Sequence, residues 1–168
     1  IMLEKFKEFV VEKSLLKNGE KILITVSGGR DSIALCELFS KAKFPFAIAH
    51  CNFKLRGKES DGDEKFVKKL AQKYKVKFFS KQFETEKFVQ QNKLSIQHTA
   101  RELRYKWFEE IRSKNGFHFI ATAHHKDDEL ETFFINLSRG TSIAGLKGIE
   151  TKRGKIIRPL LFATRNEI

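Results

Sequence analysis

Two short stretches concentrate the residue types that do chemistry. The first, Ser27-Gly28-Gly29-Arg30-Asp31-Ser32, follows the apolar run Lys21 to Val26 and precedes Ile33, Ala34, Leu35, Leu38 and Phe39, which return at helical period. Glycines between a strand and a helix permit a tight turn and let backbone N–H groups approach a phosphate at the positive end of the helix. Ser27, Gly28, Gly29, Arg30, Asp31 and Ser32 therefore form a candidate anion cradle. The stretch lacks the Gly-Lys-Ser/Thr ending of a Walker A loop, so no lysine is placed to follow a transferred γ-phosphate. Asp31, at the helix start, suits a direct or water-bridged Mg²⁺ contact. An ordinary turn with an early-helix carboxylate would read the same way in isolation.

The second stretch runs from His124 to Thr132 and carries His124, His125, Asp127, Asp128, Glu129 and Glu131. It follows the apolar run Phe117 to Thr122, and open α/β sheets place ligands beyond the carboxyl ends of their strands. Asp128 and Glu131, three residues apart on a helix, share a face. A charged helix N-terminus favoured by the macrodipole is the bland alternative.

The elements that must position these groups follow from the pattern of apolar residues. Strands are expected at Lys21 to Val26, Phe46 to His50, Val76 to Phe79, Phe117 to Thr122 and Ile156-Ile157. Between them, helical periodicity marks Ile33 to Phe39, Asp63 to Tyr74, Ser95 to Ser113 and Lys126 to Leu137. Leu3, Phe6, Phe9, Val10 and Leu15-Leu16 mark a further helix, closed by Asn18-Gly19 and expected against the edge of the sheet. This alternation predicts an α/β fold: a doubly wound, mainly parallel five-stranded sheet with helices on both faces. At 168 residues the chain suits one domain spanning 1–168, with no linker or internal repeat.

The net charge of +12, from 33 Lys and Arg against 21 Asp and Glu, favours polyanionic partners, nucleic acid foremost. A general richness in lysine would give the same number. No apolar run is long enough to span a bilayer and no signal-peptide core is seen, so a cytoplasmic protein without a membrane partner is expected. Cys36 and Cys51 form no CxxC pair and no zinc-type spacing with His50, His98, His118, His124 or His125, which leaves them as buried apolar side chains.

Ser-Gly-Gly-x-Asp-Ser after an apolar strand resembles the signature of the PP-loop, or N-type, ATP pyrophosphatases, which cleave ATP between the α and β phosphates. The run from His124 to Thr132 is similar to the His-His-x-Asp-Asp-x-x-Glu-Thr motif of PP-loop tRNA enzymes. His50 to Gly57 with Glu59-Ser60, Ala100 to Tyr105, Ser138-Arg139-Gly140-Thr141 and Ile157 to Leu161 resemble segments of the tRNA(Ile)-lysidine synthetase family. The resemblance covers about residues 20 to 168. Phe53 departs from it, because many members carry a second histidine there.

The resemblance implies an adenine nucleotide alpha hydrolase-like fold and an ATP- and Mg²⁺-dependent ligase. It would activate O2 of the wobble cytidine in the tRNA(Ile) with a CAU anticodon, join L-lysine to C2 and release AMP and pyrophosphate. It further implies nucleotide contacts from His50, Arg56, His124, Arg139 and Gly140, and catalytic charges at Arg101 and Arg104. Lysine must attack as a neutral amine although its ordinary pKa is about 10.4, so a carboxylate among Asp127, Asp128 and Glu131 is expected to orient it and take a proton. Family members continue into helical and tRNA-binding parts, so the chain reads as an N-terminal catalytic domain. Oligomeric state stays open, with a homodimer among the options. Two rival readings are a PP-loop tRNA thiolating enzyme, which the isolated cysteines disfavour, and a basic nucleic-acid-binding module that binds ATP without turnover.

Overall fold

In the computed structural model, which describes residues 1–53, 58–84, 95–140 and 148–168, the central strand shows how the sheet is covered. Side chains alternate between the two faces of a strand. In β1 (Ile22–Thr25), Ile22 and Ile24 enter an apolar cluster with Phe6, Leu35, Phe39 and Val67, while Leu23 enters another with Phe108, Ile111 and Phe117. A strand apolar at successive positions is thus buried on both faces, the condition of a parallel sheet inside an α/β protein. Truncating a fully buried ring such as Phe39 to alanine would cost about 3–5 kcal/mol.

The remaining elements are α1 (Met2–Glu12), α2 (Arg30–Lys41), β2 (Phe46–Asn52), α3 (Lys58–Tyr74), β3 (Phe78–Gln82), α4 (Ile96–Lys114), β4 (Phe119–Ala121), α5 (Lys126–Ser138), β5 (Lys152–Arg153) and β6 (Ile156–Ile157). The sheet order is β3-β2-β1-β4-β6-β5, parallel except for the β5–β6 pair. The doubly wound α/β expectation holds, with six strands instead of five. The additional strand, Lys152–Arg153, is two exposed basic residues without apolar alternation, so it declares itself only by pairing with Ile156–Ile157 across the turn at Gly154.

One placement differs from expectation. Among the described residues helix α1 packs chiefly on α2, with the Phe6 and Phe39 rings 5.6 Å apart, rather than on an edge strand. It stops at Glu12, short of Asn18-Gly19, yet Leu15 remains fully buried in the same cluster.

Strand β1 lies between β2 and β4, so the winding reverses between β1 and β4. Ligands in open α/β sheets bind in the crevice that such a reversal opens beyond the strand carboxyl ends. Loop 26–29 follows β1 and loop 122–125 follows β4, which brings the two chemistry-bearing stretches to one crevice.

Candidate active site

Loop 26–29 leaves the sheet through the Val26 N–H, which donates to Ala49 O at 2.9 Å. Gly28 then takes φ +97°, a conformation that side chains disfavour, and Gly29 becomes the N-cap of α2. The loop is closed on itself: Gly29 N–H donates to Ser27 Oγ at 3.2 Å, and Ser32 Oγ donates to Gly29 O at 2.9 Å. The amides at the start of α2 have no carbonyl partners inside the helix, which is what makes such an end attractive to an anion.

Asp31 sits in the first turn of α2, and its Oδ2 lies 3.2 Å from His125 Nε2. Its other oxygen, Oδ1, is buried without a hydrogen bond among the described residues. A carboxylate oxygen that lines a polar cleft and receives no hydrogen bond fits a hard cation. Among the described residues no group of three or more His, Cys, Asp or Glu is arranged to enclose a metal, so protein ligands alone do not complete a coordination shell there.

His125 is buried and forms the N-cap of α5. Its backbone N–H donates to Asp128 Oδ2 at 2.8 Å, half of a capping box that favours a carboxylate at this helix end. The C-terminal segment fixes the same helix start: Lys126 N–H donates to Ala163 O at 2.9 Å and Arg165 N–H to Asp127 Oδ2 at 2.9 Å. Next to it, His124 Nδ1 is 2.7 Å from Thr122 Oγ1. Burial lowers the His124 pKa from its ordinary value; Asp128 opposes this, while Arg158 and Arg101 reinforce it.

His50, at the other side of β1, is buried with its Nδ1 donating to Val26 O at 2.7 Å. Asn52 donates through Nδ2 to Asp61 Oδ1 and Glu64 Oε2, both at 3.0 Å, which ties β2 to α3. The Asn52 contact is the leading cause holding the Glu64 carboxyl below its usual range. On α4, Arg104 has its guanidinium 5.3 Å from the Phe53 ring and Arg101 its own 5.0 Å from the Tyr105 ring. Arg158 is buried, donates from Nη1 to Glu150 O at 2.6 Å and has its pKa lowered by that burial.

These groups surround a cleft of about 450 Å³, within the usual range for small-molecule sites. Of the residues singled out from sequence, Ser27, Gly29, Asp31, Ser32, His50, Arg104, His124 and Asp128 line it. Arg30 is exposed and reaches the backbone carbonyl of Arg165. Arg101 is exposed beside the cleft, close enough for its charge to act on His124. Glu131 is exposed and outside the lining, so Asp128 and Glu131 do not both face the cleft. Arg139 and Gly140 are exposed past the end of α5 and lie outside the lining. Arg56 falls outside the described residues.

Sequence reasoning assigned no role to several lining residues: Asn52, Asp63, Phe108, Thr122, His125 and Arg165. His125 belongs to the motif already noted, but adjacent histidines carry no signal of which one turns toward Asp31. Arg165 has no local signal, because its place depends on the fold of a distant segment.

Comparison with known proteins adds three findings. The whole chain, residues 1–168, matches the family described as the PP-loop domain. It is 46% identical over 160 residues to a tRNA(Ile)-lysidine synthase of Bacteroides thetaiotaomicron, covering 95% of this chain and 38% of that protein. It is 44% identical over 169 residues to one of Chlorobaculum tepidum, covering 98% of this chain and 51% of that protein. The chain thus spans between about two fifths and half the length of these relatives. Among solved structures, it resembles a U34-tRNA thiolase of Methanococcus maripaludis that carries a [4Fe-4S] cluster. The TM-score is 0.71 at 20% identity, covering 94% of this chain and 59% of that one. An NH3-dependent NAD synthetase of Campylobacter jejuni gives a TM-score of 0.65 at 16% identity, covering 98% and 68%. Likeness at such identities shows the fold alone.

Proposed function

The chain belongs to the PP-loop domain family, and from that premise we propose that it is the nucleotide-activating domain of a tRNA(Ile)-lysidine synthase. The reaction is adenylation of O2 on the wobble cytidine of the tRNA(Ile) with a CAU anticodon. The lysine ε-amine then attacks C2 and expels AMP, with pyrophosphate as the other product. The observation that carries this reading is the 3.2 Å contact between Asp31 and His125, which joins the Ser-Gly-Gly loop to the second motif at the reversal point of the sheet. The names and the 44–46% identity of the relatives above support the choice of lysidine chemistry within the family.

Backbone amides at the start of α2 receive the phosphates, and Ser27 and Ser32 keep that loop in shape. Asp31 Oδ1 would be the protein group that holds Mg²⁺, and the ion would supply charge neutralisation at the phosphates. Arg104, in the cleft lining, stabilises negative charge that develops as pyrophosphate leaves. Asp128 is the carboxylate best placed to orient the incoming amine, because it lines the cleft, whereas Asp127 and Glu131 lie outside the lining. The net charge of +12 supports a polyanionic substrate.

The test is incubation of the whole protein with ATP, Mg²⁺, radiolabelled lysine and the tRNA with a CAU anticodon, beside a copy whose wobble base is uridine. Uridine presents a different donor and acceptor pattern, so label should enter the first tRNA alone, with AMP and pyrophosphate formed. ADP and phosphate as products, or equal labelling of both tRNAs, would refute the reading. Sulfur incorporation would transfer it to thiolation.

A further inference from the structure

We propose that Phe53 is a positioning residue that acts through Arg104, holding its guanidinium in the cleft by a cation–π contact. This rests on the reading that the cleft is where the tRNA base is activated.

Strand register puts the ring where it is needed. Asn52 and Gln82 are the last paired residues of β2 and β3, and the Phe83 N–H donates to Asn52 O at 2.8 Å. Phe53 and Phe83 therefore leave the sheet side by side, with ring centroids 5.2 Å apart and planes 21° from parallel. Phe83 is buried and meets the Trp107 ring at 6.2 Å and 80°, so α4 presses on this pair one turn beyond Arg104. The Arg104 guanidinium carbon lies 5.3 Å from the Phe53 centroid, and both residues line the cleft.

Among the described residues no carboxylate pairs with Arg104. A carboxylate partner would neutralise the guanidinium. An aromatic face holds it in place while leaving its charge available to an anionic group. Preorganised charge of this kind acts on a transition state without reorganising during the reaction. Phe53 has no proton to exchange, so position 53 contributes orientation and not acid–base chemistry.

Two arms test this on the whole protein. In the kinetic arm, Phe53→Leu keeps apolar bulk but removes the π face, and should lower kcat for lysine transfer about tenfold with little change in KM for lysine. Phe53→Tyr should stay near wild type. In an Arg104→Gln background, Phe53→Leu should cost less than about twofold, because the cation it positions is already gone. Phe53→His should add a fall in kcat on the acid side of about pH 6.5, where an imidazolium repels the guanidinium. In the second arm, the Arg104 δ-methylene protons, assigned by their loss in Arg104→Gln, should resonate upfield by ring current in wild type and Phe53→Tyr but not in Phe53→Leu. Phe53→Met, with unfolding midpoints measured for every variant, separates lost packing from lost orientation. Full additivity of the Phe53→Leu and Arg104→Gln losses, or an unshifted Arg104 signal in wild type, overturns the proposal. A wild-type protein that transfers no lysine overturns the functional reading instead, and the resonance arm still decides the contact.

Discussion

His125 Nε2 lies 3.2 Å from Asp31 Oδ2, although the two residues are 94 positions apart in the chain. The pair joins the start of α2 to the start of α5 across the crevice between β1 and β4. Both side chains are largely shielded, with 5% and 20% of their surfaces exposed, so the contact is formed away from bulk solvent. A phosphate bound by the loop would thus sit beside a carboxylate whose orientation is set by the second motif.

Removing either member should have different consequences. His125→Ala leaves Asp31 short of a partner and should destabilise the fold by about 1–3 kcal/mol in urea denaturation. Asp31→Asn preserves the shape and should shift stability little, yet reduce turnover about 100-fold or more and abolish its response to added Mg²⁺. Wild-type turnover in Asp31→Asn would remove the cation from the assignment.

Gly28 holds φ +97°, whereas Gly29 does not enter the left-handed region. A methyl group at position 28 would meet Asp63 only at ordinary contact distance, 3.6 Å, so the penalty for Gly28→Ala is backbone strain and not a clash. We expect a loss of about 1–2 kcal/mol and weaker ATP binding, and a smaller effect from Gly29→Ala. Calorimetric titration with ATP and thermal melts of both variants check the contrast.

His124 should set a pH dependence of stability. Its folded-state pKa is below the ordinary value of 6.5, chiefly because burial disfavours the imidazolium, so the unfolded chain binds the proton more readily. Its contribution is complete above about pH 6.5 and is lost as pH falls through the lower folded value. His124→Gln should flatten the stability profile in that window. Below it, Glu64 also titrates downward-shifted, so the slope near pH 4 should remain. An unchanged slope just below pH 6.5 in the variant would contradict the burial argument.

Cys36 and Cys51 both have thiols pushed up to about 12, in each case mainly by burial. Neither forms a disulfide. Because the thiolate is the reactive form, both should resist iodoacetamide in the folded protein at pH 8 and react readily once unfolded. Mass spectrometry after brief alkylation reads this directly. Rapid native labelling of Cys51, which lines the cleft, would revive thiol chemistry there.

Much of the architecture was legible because its signals are local. The β-branched run at Ile22 to Val26, the glycines that follow it and the return of helical period at Ile33 specify strand, turn and helix without reference to the rest of the chain. The same holds for the run from His124 into α5, and alternation of the two element types then implies a parallel sheet. Chemistry-bearing residue types in the two loops pointed to phosphate and cation binding for the same reason.

Only the tertiary structure decided which side chains face one another. Asp128 and Glu131 look equivalent at a spacing of three, yet three residues advance about 4.5 Å along a helix axis, enough to leave one in the cleft lining and the other outside it. Arg139 and Gly140 sit at the far end of α5 from the cleft that His125 and Asp128 enter. The Phe53–Phe83 stack depends on the register of β2 with β3, and the Asp31–His125 contact on the order in which β4 lies beside β1. Register and strand order are set by long-range packing of two apolar faces at once. Sequence periodicity states that a residue is on a face, and packing alone determines what that face meets.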